Sequence, residues 1–560
     1  MPTINFSLKD LQKLIGKKID LKELEELIRF CKGEISRYDK TSDEITAEFA
    51  DTNLPYLWSV EGIARFLKGV VGKEKGIAKI NIKKSNYEII VDGSVSDIRP
   101  YIVSFAASGK KVDDYLIKQI IQLQEKLCEN FGRRRQKVAI GIYRLNKIKF
   151  PVYYKATDPE SIQFIPLDFK RPLTQQEILE EHPKGKEYAW ILKGVKKYPI
   201  LVDSENNVLS FPPIINSIET GKIEEGDSEL FFEATGTDLK ALNLAANIFA
   251  YALYERGFDV YSVNIKYVKC KEKLIKTKSI KTPQIINEKI KIKKEDVEKL
   301  IGLSLNDAQI KNLLEKARYG FNAGVVEIPS YRGDILHAVD VIEDISIMYG
   351  YDKLKGIPLT EYTTGRTFEI VKFINNIREL MVGNGYQEIM SPILCNKKIL
   401  YDAMNIKDFG TVEIANPMSE TFSCVRTWLI PILMEVLSKN KHADYPQKIF
   451  EEGIVTLKKD GKIIDYERLA VVSAHNNANF TEIKQILDYI MNLIGVKYEI
   501  EEIKHDSFIE GRVGRVSVNG KNIAFIGEIN PIVLKNFNLA VPVSAFEINL
   551  TELFEIINKN

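Results

Sequence analysis

Four carboxylates fall within eleven positions in the stretch YRGDILHAVDVIED (331–344): Asp334, Asp340, Glu343 and Asp344. At about 100° per residue, Asp340, Glu343 and Asp344 share one face of a helix. Val341, Ile342, Ile345, Met348 and Tyr349 take the opposite face, the pattern of a helix packed on a core. Like charges at these spacings repel by a few tenths of a kcal/mol, so the grouping needs a compensating interaction. Two chemistries supply one. A helix N-terminus favours acids through its macrodipole, which accounts for Asp340 well and for Glu343 and Asp344 in part. A hard cation is the other, because Mg²⁺ takes carboxylate oxygens and keeps several waters. Spacing alone leaves both open.

The elements that carry these acids occur twice. LKDLQKLIGKKIDLKELEELI (8–28) aligns without gaps on KEDVEKLIGLSLNDAQIKNLL (294–314), with Asp10, Lys13, Leu14, Ile15, Gly16 and Leu27 recurring as Asp296, Lys299, Leu300, Ile301, Gly302 and Leu313. Each copy predicts a short helix, a glycine stop, and a second helix opened by an Asp or Asn cap. Further on, YLWSVEGIARF (56–66) lies over ILHAVDVIEDI (335–345). Glu61 matches Asp340, but Pro55, Ala64 and Arg65 stand where the second copy has Asp334, Glu343 and Asp344. The module therefore folds without those three acids, which points to chemistry or contact as their purpose.

A chain of 560 residues implies about three to five domains. Its 79 basic and 77 acidic residues nearly cancel, so nucleic-acid binding must come from local patches such as Arg133-Arg134-Arg135 or the Lys-rich run 266–294. Either patch equally suits a solvated surface. Five dispersed cysteines form no CxxC, which argues against a disulfide framework or zinc knuckle and for a reducing compartment. The amino terminus lacks an apolar signal region, and no apolar run approaches the ~20 residues of a membrane span. A cytoplasmic, soluble, multidomain protein is expected.

Between the two copies lies a mixed region with strand-like runs (NYEIIVDG, KVAIGIY, ELFFEATGTD) and helix-like ones (VDDYLIKQIIQLQEKLCENF, DLKALNLAANIFAYALYERG). LSFPPIINS (209–217), with tandem prolines, predicts a rigid non-helical element between strands. The Lys-rich run alternates apolar and basic residues and is expected to form strands and a connector. From about residue 360, helix, loop, helix and antiparallel-looking strands suggest an α+β domain.

IPSYRGDILHAVDVIEDISIMYGYDKL, VEIANPMSETFSCVRTWLIPILMEVLSKN, YPQKIFEEG and GEINPIVL together resemble the beta subunit of phenylalanyl-tRNA synthetase, in its archaeal and eukaryotic form. LSFPPIINS and FFEATGTDLK fit the same family's hydrolytic domain, so the resemblance covers nearly the whole chain. It implies an α+β multidomain fold: an N-terminal α/β module (1–80), a mixed α/β tRNA-editing domain (81–268), a second copy of the module with the acidic cluster (269–357), and a non-catalytic class II synthetase-like antiparallel sheet domain (358–560). It also implies an α₂β₂ assembly that joins phenylalanine to tRNA(Phe) using ATP, with ATP and phenylalanine bound on the catalytic alpha subunit. The catalytic relatives end in a glycine-rich motif whose arginine contacts ATP, whereas FIGEINPIVL has Gly527 and Glu528 and no arginine. Without such a cation to offset phosphate charge, the domain reads as structural. Its NPMSE helix region is expected to contact the alpha subunit. By the same resemblance Asp334, Asp340, Glu343 and Asp344 are ligands of an interfacial Mg²⁺.

Phenylalanine and tyrosine differ by one hydroxyl, which an apolar pocket rejects by only ~10²-fold, so a second, hydrolytic site is useful. The family cleaves tyrosine wrongly joined to tRNA(Phe). Ester hydrolysis needs a positioned water and polar groups near the carbonyl, and no Ser-His-Asp set stands in 80–265, whose single histidine is His182. The resemblance assigns the pocket to Leu201, Ser210, Asn216, Glu233 and Thr235. Glu233 would meet the tyrosine hydroxyl or the water, Ser210 and Thr235 would supply polar contacts, and Leu201 would pack on the ring. The family often carries Asp where Glu233 stands. Two other readings remain: a free-standing aminoacyl-tRNA deacylase, against which the synthetase-like domain argues, and a scaffold with a dead pocket. tRNA contact would come from scattered Lys and Arg rather than a basic domain.

Overall fold

The computed structural model describes residues 2–268 and 279–558. Part of the Lys-rich run, Cys270 and the expected boundary at 268/269 lie outside the described residues. The chain divides into two compact units, 1–357 and 358–560.

In the first unit the repeat is visible as topology. Thr3–Ser7, Gly33–Asp39 and Glu44–Phe49 form a three-stranded sheet with the last strand in the middle, and Glu288–Lys291, Gly320–Asn322 and Val325–Ile328 repeat that order. Both copies insert two helices after the first strand and add a third after the sheet. The glycine stops are real, since Gly16 (φ 73°) and Gly302 (φ 77°) end their helices in the left-handed region that favours glycine. Asp20 and Asn306 cap the helices that follow, each accepting from a backbone N–H three residues on.

Between the copies in sequence runs an eleven-stranded mixed sheet. Asp259–Val268 pairs parallel with Glu88–Asp92 and antiparallel with Tyr101–Ser108. Glu229–Gly236 lies between Tyr101–Ser108 and Val138–Arg144, antiparallel to both, with Glu233 opposite Ser104 and Gly141. Strand alternation sorts its side chains. Leu230, Phe232 and Ala234 join the large core that includes the apolar helix Leu239–Glu255, whereas Phe231 joins a separate core on the other side. Glu233 and Thr235 share the parity of Phe231 and so leave the helix side. LSFPPIINS is non-helical through Asn216, as its prolines require, and a four-residue helix starts at Ile218.

The second unit is a seven-stranded sheet in the order Gln387–Glu388, Gln447–Lys459, Lys462–Ala474, Val543–Asn549, Lys521–Ile529, Phe508–Val518, Glu499–Glu502. Every pairing is antiparallel except the first. Two tight turns set its register: Asp460-Gly461 (φ 51° and 76°) and Asn519-Gly520 (φ 49° and 74°) put both central residues at positive φ, the preference of two-residue hairpins. Helices Glu369–Gly383, Phe480–Leu493 and Leu550–Asn558 contribute to one core with this sheet. NPMSE differs from the expectation: residues 416–420 are exposed and non-helical apart from the start of the short 3₁₀ turn Glu420–Phe422, and the helix forms later, at Ile430–Lys439. Pro417 keeps Asn416 out of the helical region, because a proline disfavours helical backbone in the residue before it.

Candidate functional site

Glu233 is the chemically distinctive residue of the mixed sheet. Its side chain is buried at the middle of a central strand, and burial pushes its carboxyl up to about 7, with the Tyr143 hydrogen bond and the Arg99 charge opposing the rise. Tyr143 Oη donates to Glu233 Oε1 at 2.8 Å, whereas buried Oε2 has no partner. A buried acceptor left unpaired costs roughly 1–3 kcal/mol, so a ligand that donates to it is favoured.

A cavity of about 160 Å³ lies beside it, lined by Ser210, Asn216, Glu233 and Thr235 together with Phe211–Ile215, Arg135 and Lys184. Four of the five expected pocket residues are thus brought together. Leu201 is not: it is fully buried, opposite Ser210 and Tyr154 in the sheet, and belongs to the core rather than the cavity wall. Ser210 pairs in register with Asn216. Ser210 Oγ makes no well-formed hydrogen bond, although it lies close enough to favour the ionised Tyr143 phenol. Thr235 is held by Arg99, whose Nε donates to Oγ1 at 2.9 Å and whose Nη2 donates to the backbone carbonyl. Arg135 Nη1 donates to the carbonyls of Pro213 and Ile214 and its guanidinium stacks on Tyr188, so this member of the arginine run ties the proline loop over the cavity.

Sequence reasoning missed Tyr143, Arg99 and Gly141, and took Arg135 only as part of a basic run. Gly141 and Tyr143 sit in the run KVAIGIY, where spacing of two already put them on one strand face; which face met Glu233 depended on register. A Cβ at Gly141 would lie 2.1 Å from Tyr143 Oη and 2.6 Å from Glu233 Oε1. Gly141→Ala is therefore expected to displace the Tyr143–Glu233 pair with the overall fold kept, as read by circular dichroism, and to lower by at least tenfold any ester hydrolysis this cavity performs.

The acidic cluster is arranged differently from a metal cage. Arg332, buried, donates Nη1 to Asp344 Oδ2 at 2.7 Å and pairs through Nε and Nη2 with both oxygens of Asp334. Tyr319 Oη donates to Asp344 Oδ2 at 2.6 Å. Asp340 Oδ2 accepts from the backbone N–H of Leu336 and His337, both at 2.7 Å, closing a capping box at the helix Ala338–Tyr349. Glu343 pairs with Lys32 of the first module at 3.0 Å. Burial disfavours the Arg332 charge, but Asp344 and Asp334 together with the neighbouring phenols outweigh it and raise its pKa further. All four acids border one recess of about 50 Å³, and their hard oxygens suit Mg²⁺. As placed, they do not converge: among the described residues no three His, Cys, Asp or Glu groups stand close enough to hold an ion. The counter-charge is Arg332, a residue inside the same stretch.

The described chain is a duplicated module with a mixed sheet between its copies in sequence, followed by an antiparallel sheet domain, and its family matches are those of a tRNA synthetase chain. Residues 290–351 match the tRNA synthetase B5 domain, and residues 355–550 match the phenylalanyl tRNA synthetase beta chain CLM domain. Over 99% of its length the chain is 43% identical to all of the phenylalanine–tRNA ligase beta subunit of Pyrococcus horikoshii, and 37% identical to all of that of Methanococcoides burtonii. It also superposes, with a TM-score of 0.59 and 41% identity, on the whole of a crystallised N-terminal fragment of the P. horikoshii phenylalanyl-tRNA synthetase beta-subunit, which covers 62% of this chain. The chain belongs to the phenylalanine–tRNA ligase beta subunit family. No helix among the described residues is long and apolar enough to cross a membrane.

Proposed function

We propose that this chain contributes proofreading rather than synthesis to tRNA(Phe) charging: the cavity around Glu233 hydrolyses tyrosine from mischarged tRNA(Phe), and an alpha subunit, binding ATP and phenylalanine, makes the ester in an α₂β₂ cytoplasmic assembly. The observation that carries this reading is Glu233 Oε2, a buried acceptor without a partner on the wall of a small cavity. A carboxyl with a pKa of about 7 is divided between its two forms at neutral pH, the condition in which a general base works best. Its ionised form accepts a proton from water and directs that water at the ester carbonyl. Its orientation is set by Tyr143, which engages Oε1 and leaves Oε2 for water or for the tyrosine hydroxyl. Apolar Phe211 and Ile214 exclude bulk solvent beside the polar atoms.

The reading of the second unit as non-synthetic gains support from how its arginines are used. In its cavity of about 400 Å³, Arg468 is paired with Glu547 at 2.9 Å and Arg515 stacks 3.9 Å from the Phe525 ring centre. Mg²⁺ belongs to the proposal on donor chemistry alone. Asp334, Asp340, Glu343 and Asp344 would hold it only after Arg332 withdraws from two of them, and no step is routed through it.

The test is tRNA charging with phenylalanine and ATP by this chain, by the alpha subunit, and by both. Charging in the mixture only is expected; charging by this chain alone overturns the reading. Release of tyrosine from preformed tyrosyl-tRNA(Phe) by this chain alone would favour a free-standing deacylase. Release by the assembly that survives Glu233→Ala would favour a scaffold with a dead pocket.

A further inference from the structure

The cavity of about 400 Å³ in the second unit has a volume that takes a small molecule. It lies on the sheet face opposite the core shared with helices Glu369–Gly383 and Phe480–Leu493, and strand alternation sets that face. Val516, Ala524, Phe546 and Leu469 point into the helix core, so their neighbours Arg515, Phe525, Glu547 and Arg468 point the other way. Register lines up Arg515, Phe525 and Glu547 across three adjacent strands.

The walls suit a ring. Phe409, Trp428, His505 and Phe525 follow one another around the cavity, with ring centres 6.3, 6.1 and 4.8 Å apart. Trp428 spends its N–H on the Leu400 carbonyl at 3.1 Å, and burial lowers the pKa of His505 and keeps it neutral.

Charge decides what the ring carries. Glu547 is fully engaged: Oε1 accepts from Arg468 at 2.9 Å, and Oε2 accepts from the backbone N–H groups of Leu429 and Ile430 at 2.8 and 3.0 Å. Glu552 stands with Lys521 at 3.3 Å. The acids of the cavity are thus spent, and an ammonium group would find no acceptor there. The cations are not spent. Arg515 and exposed Lys407 have no ion pair among the described residues. Arg515 lays the face of its guanidinium on Phe525, its buried Nε has no partner, and the planar edge is left for an acceptor. Burial and the Arg468 charge both disfavour its ionised form, which a bound anion would relieve. A carboxylate matches that edge with two parallel hydrogen bonds.

We propose that this cavity binds a small aromatic carboxylate without an ammonium group, its ring among the four aromatic side chains and its carboxylate on the edge of Arg515. The proposal is independent of hydrolysis at Glu233 and of charging by an alpha subunit. It gives the second unit a ligand without giving it a reaction.

The experiment is calorimetric titration of the full chain, alone and in the subunit assembly, with hydrocinnamate, which is phenylalanine without its amino group. Only binding that responds to Arg515 is counted, which separates this site from any on the alpha subunit. Saturable binding of hydrocinnamate is expected, with L-phenylalanine and uncharged hydrocinnamyl alcohol each at least about tenfold weaker. Arg515→Gln, at a half-exposed position, is expected to weaken hydrocinnamate by at least about tenfold, and Arg515→Lys, which keeps the charge and loses the fork, by less. Unchanged binding in Arg515→Gln overturns the proposal. So does an equal loss in both variants, the mark of a merely structural role. L-phenylalanine bound as tightly as hydrocinnamate would show an acceptor for ammonium and reject the stated ligand, and displacement by AMP would make this a nucleotide site. Binding by the free chain that vanishes in the assembly would show that a partner covers the cavity, and also overturns the proposal.

Discussion

Replacing Glu233 by glutamine is expected to abolish tyrosine release from tyrosyl-tRNA(Phe), with a fall of at least ~10²-fold, and to make the chain more stable at pH 8. Both effects come from one carboxyl. Losing a positioned general base typically removes ~10²–10⁴ in rate. The stability effect follows from the raised pKa, which also gives its sign. Glu233 titrates near 7 in the folded chain against 4.5 for the free side chain. Folding therefore favours the protonated form. That contribution is fully present below about pH 4.5 and is lost as pH rises through 7, to a total of about 3 kcal/mol. Glu233→Gln keeps the neutral shape and removes this contribution, so between pH 5 and 8 the variant's midpoint in urea should fall less than that of the natural chain. Tyrosine release by the natural chain should rise with pH and level off above an inflection near 7. Tyr143→Phe removes a hydrogen bond that favours the ionised carboxyl, and the inflection should move to higher pH. Urea midpoints that fall in parallel for Glu233→Gln and the natural chain would show that Glu233 is not the group titrating.

Arg332→Met is expected to destabilise the first unit by about 3–5 kcal/mol, the cost of leaving buried charges without their partner. The side chains of Asp334 and Asp344 are only 6% and 13% exposed, so water cannot replace the guanidinium. The sharper test is non-additivity. A chain carrying Arg332→Met with Asp334→Asn and Asp344→Asn should recover part of the loss, because neutral amides need no counter-charge. Adding millimolar Mg²⁺ to Arg332→Met tests the cluster as a cation site directly: a rise in the unfolding midpoint that a chelator and Asp340→Asn each abolish would support Mg²⁺ at these carboxylates. A loss below about 1 kcal/mol for Arg332→Met would mean that the ion pairs are incidental.

Much of this protein is legible in its amino-acid sequence alone. The repeat can be read because caps and stops are local: Gly16 and Gly302 need positive φ, and Asp20 and Asn306 satisfy N–H groups three residues away. The hairpins at Asp460-Gly461 and Asn519-Gly520 are local in the same sense. Family membership follows from long ordered motifs, and four of the five residues expected in the pocket line one cavity.

What the tertiary structure decided was non-local. Strand register, set by pairing between segments about ninety residues apart, put Gly141 and Tyr143 against Glu233, and the pairing of Leu201 with Tyr154 and Ser210 sent Leu201 into the core. Burial, which no spacing reports, turned an ordinary glutamate into one that titrates near neutrality. The acidic cluster makes the same point from the other side. Its charges were plain in the sequence, but Lys32 became the partner of Glu343 only when the two modules folded together, and Arg332 met Asp344 only when their segment folded back on the helix, since a charge is compensated by what lies within a few ångströms in space.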